Sequence, residues 1–305
     1  MTIDQQKKRP GYISFQKNAE GNNQLDDLWF FTGSRCNLAC HHCYVESSPT
    51  NNSIDMITTE DIKPTIDEAQ KFGVNHIYFT GGEPFLNKDI YSLVGMAMET
   101  ADTTIMTNAT LRMDLERLKQ IKSDSTLSFR ISMDHFEEAR HDQIRDQGNF
   151  QKTLINAVKI SLAGFQVIIT ASAIVYEGHE LQADEIEDKF HQLFSPYGVD
   201  VDVKLLPYNL EMGTNLERID EVHEKVFLSE HCMQLPGVKA KDFQCHNGRT
   251  LQKIKGEMKI YPCPIIYNDP QYEMGSTLKD SFGNVYLNHK ACYDFCYRSG
   301  GKCTN

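Results

Sequence analysis

At 305 residues the chain is long enough to bury a full α/β core, and 40% hydrophobic against 24% charged residues, without a long low-complexity tract, describe a globular protein. Its 42 acidic and 31 basic residues give a net charge of -11, which disfavours nucleic acid as the main partner. No run of about 18 apolar residues occurs and "MTIDQQKKRPGYISFQ" lacks a signal-peptide core, so the expectation is a cytoplasmic protein with no membrane partner, whose nine cysteines serve metals or redox chemistry rather than disulfides.

Residues 1–26 are polar and mixed and read as an N-terminal extension or cap. From residue 27 apolar runs recur: "DLWFF" (27–31), "HIYFTG" (76–81), "TTIMTN" (103–108), "LSFRISMD" (127–134), "QVIITASAIV" (166–175) and "VDVKLLPYN" (201–209). Their β-branched and aromatic content suits buried strands. Helical spacing fills 59–72, 88–99, 113–122, 149–163, 180–194 and 215–229; the first of these has a Thr cap and stops at Gly73, and the fourth stops at Gly164. Six strands alternating with helices predict a parallel sheet covered by helices, which a doubly wound sheet and a partial barrel satisfy equally. Near residue 230 the rhythm fails, and 231–305 is read as a separate cysteine-rich unit poor in apolar material and suited to metal cross-linking. Within it, 237–260 is a basic stretch that reads either as a patch for an anionic partner or as solvated surface.

The loop after the first strand, "RCNLACHHCYVE", sets Cys36, Cys40 and Cys43 at C-x3-C-x2-C spacing, so three thiolates can converge on one metal centre. Tetrahedral zinc needs a fourth ligand, such as His41, His42 or a remote side chain, whereas a cubane of four irons held by three cysteines leaves one iron free. The second strand ends in "TGGEP", where Gly81 and Gly82 let backbone pass close to a ligand and Glu83 or a carbonyl can accept from an ammonium group. Arg130, Ser132 and Asp134 recur with period two and share one side of the sheet.

This combination resembles the radical S-adenosylmethionine (radical SAM) enzymes. The cysteine motif of that family is matched by Cys36, Cys40 and Cys43, with His42 where an aromatic residue is usual, and the glycine-rich element by Gly81, Gly82, Glu83 and Pro84. The segment "SMDHFEEARHDQIRDQGNFQKTL" follows a further family pattern, with His135 and Asp146 in place of two glycines and with His141, Asp142 and Arg145 read as fold-stabilising. The resemblance covers about residues 27–209 and implies a partial (β/α)6 TIM-type barrel over 27–230 with the cofactor at the carboxyl ends of the strands. It further implies a 4Fe–4S cluster whose open iron chelates SAM. His42, Gly81, Gly82, Glu83, Pro84, Asn108, Arg130, Ser132 and Asp134 are then the cofactor-binding residues, Arg130 for the SAM carboxylate and Ser132 or Asp134 for ribose hydroxyls.

Downstream, Cys245, Gly256 and Cys263, then Cys292, Cys296 and Cys303, resemble the auxiliary-cluster tail called SPASM or its shorter relative Twitch, although six residues rather than four follow the glycine. One auxiliary 4Fe–4S cluster is expected over 231–305, held by Cys245, Cys263 and two of Cys292, Cys296 and Cys303, with structural zinc as the competing use of these thiols. Cys232 precedes the pattern and is read either as a small buried hydrophobe or as the catalytic thiol that returns a hydrogen atom to a substrate radical. The function so implied is reductive cleavage of SAM to a 5′-deoxyadenosyl radical that takes hydrogen from an unactivated C–H bond, giving oxidation, cross-linking or epimerisation of a peptide or polar small molecule. A flavodoxin- or ferredoxin-type electron donor is the protein partner this chemistry requires. The alternative of a different class is a noncatalytic interaction protein stabilised by zinc or an iron–sulfur cluster.

Overall fold

A computed structural model describes residues 5–6, 9–121, 123–172, 176, 181–206, 227–298, 300 and 303–304. After a two-residue strand, β1 (Tyr12–Ile13), the six apolar runs form β2 (Asp27–Phe31), β3 (His76–Thr80), β4 (Asp102–Thr107), β5 (Leu127–Ser132), β6 (Gln166–Ser172) and β7 (Asp202–Leu206). Each pairs in parallel with the next in chain order, Phe30 opposite Phe79 and Ile105 opposite Phe129. Parallel neighbours need a crossover, supplied by α1 (Thr59–Lys71), α2 (Ile90–Met98), α3 (Leu115–Lys119), α4 (Glu138–Arg145), α5 (Asn149–Leu162) and α6 (Ala183–Phe194). The result is the partial (β/α)6 barrel rather than a doubly wound sheet. The helix expected over 215–229 falls mostly on residues outside the described ones.

Local chemistry explains the crossovers. At the start of α1 the Thr58 hydroxyl accepts from Asp61 N at 3.4 Å and the Asp61 carboxylate accepts from Thr58 N at 2.8 Å, a reciprocal cap that fixes where the helix begins. Ile62, Ile66 and Ala69 are buried along one face, and Gly73, at φ +72, turns the chain toward β3. The barrel helix not expected from sequence is α4, "EARHDQIR", which buries only His141 and Asp142 and so carries almost no apolar stripe.

The two faces of the sheet differ. Leu28, Phe30, Phe79, Ile105, Phe129, Ile131 and Ile169 join the main core beneath the helices. Burying a side chain such as Phe79 contributes about 1.5–3 kcal/mol. The inner face is mixed: Trp29 stacks on Tyr78 with centroids 4.0 Å apart, and His76, Thr104 and Ser128 form a hydrogen-bonded chain at 2.6 and 2.7 Å. That polar chain lies toward the amino ends of the strands, away from their carboxyl ends.

The sheet continues past residue 230. β8 (Gly248–Ile254) lies parallel to β2, and β9 (Glu257–Tyr261) lies antiparallel to β8, giving the order β7-β6-β5-β4-β3-β2-β8-β9. The basic stretch 237–260 is therefore neither a continuous patch nor plain solvated surface. Arg249 is wholly buried, Lys253 is 2.7 Å from Asp61, and Lys259 is 2.9 Å from Glu273. A last strand, β10 (Val285–Tyr286), pairs with β1. The N-terminal segment is tied to this end of the chain through Gly11 N to Leu228 O at 2.7 Å, Gln16 N to His246 O at 2.7 Å and Asp26 N to Asn247 O at 2.9 Å.

Candidate active site

One cavity of about 180 Å³ opens at the carboxyl ends of the parallel strands. The cysteine loop after β2 lines it with Cys36, Cys40, His42, Cys43 and Tyr44; the strand ends add Gly81 and Gly82, Asn108, Ser132 and Asp134, and Thr170. Parallel strands all point their carboxyl ends the same way, so residues far apart in sequence meet there.

Every sulfur of the loop receives an N–H. Leu38 N donates to Cys36 Sγ and Ser47 N to Cys43 Sγ, both at 3.4 Å, while Asn108 Nδ2 lies 3.7 Å from Cys36 Sγ and Arg145 Nη1 lies 3.6 Å from Cys40 Sγ. Donors aimed at sulfur suit thiolates. Burial pushes the Cys36 thiol up to about 12 and Cys40 up to about 11, and the neighbouring thiols push each further, so three bare thiolates are disfavoured here. A metal centre resolves that conflict by supplying positive charge to sulfurs already furnished with donors.

The glycines have a specific steric cause. A Cβ on Gly82 would stand 1.9 Å from Arg35 O, and one on Gly81, at φ +122, would stand 2.4 Å from Gly33 O. Backbone bonds from Gly82 N to Gly33 O at 2.8 Å and from Glu83 N to Arg35 O at 3.0 Å zip the two strand ends together. The close approach that requires glycine is thus to the cysteine loop itself, while the same two residues also line the cavity.

Glu83 is buried and its carboxylate is already engaged, accepting from Phe85 N at 3.1 Å, Thr107 Oγ1 at 2.8 Å and Asn108 N at 2.9 Å. Burial raises its pKa against the pull of those three donors. It pins the ends of β3 and β4, and Pro84 opens the short 3-10 turn that follows. Asp134 is also buried, with Arg145 Nε at 2.5 Å and His42 Nε2 at 3.0 Å. Burial alone would raise the Asp134 carboxyl, but the Arg145 guanidinium and His42 outweigh it and hold it well below the usual carboxylate range.

Arg145, expected from sequence to stabilise the fold together with Asp142, is a cavity residue that the sequence does not mark as one. Asp142 does cap α5, accepting from Phe150 N at 2.7 Å and Gly148 N at 2.6 Å. Arg145, three residues on, instead reaches the cavity between Asp134 and Cys40. The signal was its place one helical turn from Asp142 in an otherwise polar helix. His141 is a buried imidazole whose pKa burial lowers to about 4, set edge-on to Phe150 and away from the cavity.

Arg130 stands elsewhere. It is 1% exposed, reaches Thr170 Oγ1 at 3.4 Å and donates through Nη1 to the Cys303 carbonyl, and it does not line the cavity. Cys303 packs among Trp29, Tyr78 and Ile265 inside the barrel. Four other tail thiols gather separately: Cys245, Cys263, Cys292 and Cys296 line a small, mainly apolar cavity of about 20 Å³. Cys292 and Cys296 lie on a π-helical segment, Cys292–Arg298, where a spacing of four keeps both on one side. Burial and the neighbouring Cys263 raise the Cys296 thiol to about 12. Cys232 lines neither cavity; its Sγ lies 3.3 Å from Ser229 Oγ beside the cluster of Ile13, Leu228 and Phe243.

Among the described residues no three His, Cys, Asp or Glu side chains are gathered to hold a single metal ion. A cuboidal cluster interposes its own iron and sulfide between thiolates and so asks for wider spacing than a single ion does. No described helix is long and apolar enough to cross a membrane.

Comparison with known proteins gives consistent relatives. A family model described as the Radical SAM superfamily matches residues 30–190. A GTP 3',8-cyclase of Clostridium botulinum is 29% identical over 207 residues, covering 66% of this chain and 62% of the relative, so the chain spans less than two thirds of that protein. The mycofactocin maturase MftC of Mycolicibacterium smegmatis is 24% identical over 274 residues, covering 82% of this chain and 67% of the maturase. Among solved structures, Streptococcus suis SuiB bound to its precursor peptide SuiA aligns with a TM-score of 0.60 at 16% identity, covering 85% of this chain and 64% of that one. The protein anSMEcpe with bound AdoMet aligns with a TM-score of 0.59 at 15% identity, covering 92% and 91%. At such identities the structural likeness establishes the fold.

Proposed function

The chain belongs to the radical SAM superfamily, and from that premise we propose that it cleaves S-adenosylmethionine reductively and removes hydrogen from an unactivated C–H bond of a peptide or polar small molecule. The observation that carries this reading is the meeting of Cys36, Cys40 and Cys43 with Gly81, Gly82, Asn108, Asp134 and Arg145 around one cavity. Cys36, Cys40 and Cys43 would hold a 4Fe–4S cluster with one iron left for SAM. Bound there, that cluster supplies the electron that splits SAM into methionine and a 5′-deoxyadenosyl radical.

The chain's own groups bind and orient. Backbone at Gly81 and Gly82 faces the cavity for the SAM ammonium, because the Glu83 carboxylate is spent on Phe85, Thr107 and Asn108. Arg145 replaces Arg130 as the cation for the SAM carboxylate, since it lines the cavity and Arg130 does not. Asp134 aims Arg145 and His42 rather than meeting ribose, which leaves Ser132 to offer a hydroxyl. Leu38, Val45 and Leu206 give the lining apolar stretches that exclude water from a reactive radical.

The same reading places one auxiliary 4Fe–4S cluster on Cys245, Cys263, Cys292 and Cys296 within 231–305, with Cys303 outside its ligand set. Support for a peptide substrate comes from the relatives whose likeness reaches into this tail, the maturase MftC and SuiB in complex with a precursor peptide. A flavodoxin- or ferredoxin-type protein would supply the electron. Cys232 is not retained as hydrogen donor, because it lines neither cavity. Anaerobic reconstitution with iron and sulfide tests the function: reductant-dependent 5′-deoxyadenosine formation is expected and should disappear on changing Cys36, Cys40 or Cys43 to Ala. Protein that loads iron and never cleaves SAM would refute it in favour of a cluster-stabilised interaction protein.

A further inference from the structure

The buried cations of the molecule are not treated alike. Arg145, beside Cys40, is balanced by the Asp134 carboxylate at 2.5 Å. Arg249, on β8, is 0% exposed, and among the described residues no carboxylate lies within ion-pair distance of it. Its guanidinium donates only to neutral carbonyls: Nε and Nη2 to Ser281 O at 2.9 and 2.8 Å, and Nη1 to Cys245 O at 2.8 Å and Gly248 O at 2.6 Å. The Phe15 ring closes over it with the guanidinium carbon 4.2 Å from the centroid, and Phe15 stacks in turn on Phe282 at 4.5 Å.

A permanent charge sealed from water by carbonyls and an aromatic ring is costly unless an anion lies nearby. Cys245, whose carbonyl Arg249 grips, belongs to the four-thiol cavity. We propose that Arg249 is the counter-charge of the auxiliary iron–sulfur cluster, and that it acts as a positioning residue which raises the cluster's midpoint potential and so poises it to receive an electron. The inference rests on the reading that Cys245, Cys263, Cys292 and Cys296 hold that cluster. A cluster on four thiolates is anionic, and one added electron makes it more so, so a fixed cation next to it favours the reduced state. This also gives the N-terminal segment a physical task, since Phe15 excludes water from the pair.

The test compares Arg249→Lys, which keeps the charge, with Arg249→Gln, which keeps hydrogen-bonding capacity without it. To isolate the auxiliary cluster, both are made in the anaerobically reconstituted full chain carrying Cys36→Ala, Cys40→Ala and Cys43→Ala, and its midpoint potential is read by EPR-monitored redox titration. The expected result is a potential shifted to more negative values in Arg249→Gln and held near the parent value in Arg249→Lys. Failure of Arg249→Gln to load iron, with Arg249→Lys loading normally, would equally support the charge assignment. Identical behaviour of the two variants, whether both keep the parent potential or both lose the cluster, would overturn it. A parent protein that binds no iron after reconstitution would instead overturn the auxiliary-cluster reading, and this assignment with it.

Discussion

The two cysteine sites are built on opposite electrostatic plans. The loop at 36–43 faces a cavity of about 180 Å³, gives each sulfur a hydrogen-bond donor and balances its nearby cation with Asp134, whereas the tail packs four thiols around about 20 Å³ of mainly apolar space beside a cation with no carboxylate partner among the described residues. The first arrangement leaves room for an exchangeable ligand and keeps local charge near neutral. The second has less room and sets the buried Arg249 guanidinium beside the four thiols, where the proposed anionic cluster would offset it. The difference supports the proposal of ligand chemistry in one region and electron storage in the other.

The largest expected effect separates the regions outright. Cys40→Ala should reduce 5′-deoxyadenosine formation to background while the tail keeps its iron, and Cys263→Ala should spare SAM cleavage but lower iron from about eight to about four per chain. Iron analysis alongside product chromatography checks both arms, and loss of both clusters in either variant would merge the two sites into one folding unit.

Next comes the balance of charge at the first site. Asp134→Asn leaves Arg145 buried beside Cys40 without its carboxylate and should destabilise the protein by about 3–5 kcal/mol in denaturant unfolding. Because the folded carboxyl lies well below its ordinary value of 3.8, the stabilisation is fully present above that value and is lost as pH falls through the folded one. The gap between wild type and Asp134→Asn should therefore stay constant from about pH 8 to 5 and narrow below about pH 4. A gap that changes between pH 8 and 5 would assign the titration to another group.

A smaller effect probes the seam between the loop and β3. Gly82→Ala places a methyl 1.9 Å from Arg35 O and should cost about 1–3 kcal/mol, with loss of the first cluster and retention of the second. Wild-type loading of both clusters would break the steric account.

The smallest lies where β2 meets the tail. Asp27 is raised to about 6 because burial outweighs the hydrogen bond from Gln244, so the folded protein holds that proton more tightly than the unfolded chain does. Its charge therefore destabilises above about pH 6, and the penalty fades as pH falls toward the unfolded value of 3.8. Asp27→Asn should be more stable than wild type by about 1–2 kcal/mol at pH 8, with the advantage gone near pH 4, as thermal unfolding across pH would reveal.

Much of the barrel was legible because its strands are continuous β-branched and aromatic runs bounded by turns, and because Thr58, Gly73 and Gly164 mark helix ends. β8 and β9 were not, since "GRTLQKI" and "EMKIY" carry basic residues that resemble surface until their partners Asp61, Glu273 and the Ser281 carbonyl are seen. The cysteine loop and the paired glycines were readable from spacing, but not the reason for the glycines, which is a backbone contact between residues 47 positions or more apart. The placements of Arg130 away from the cavity and of Arg145 in it were hidden for a similar reason. Period two along β5 tells which face Arg130 occupies but not its depth, and the polar helix α4 gave no apolar stripe from which to orient Arg145. The choice among Cys292, Cys296 and Cys303 likewise depended on how the last turn folds, which spacing alone does not determine.

The account stands on the first cluster having an iron that SAM can reach. EPR of the reduced, anaerobically reconstituted protein with Cys245, Cys263, Cys292 and Cys296 changed to Ala isolates that cluster. Addition of SAM should alter the cluster signal, and a spectrum unchanged at saturating SAM would contradict the central claim.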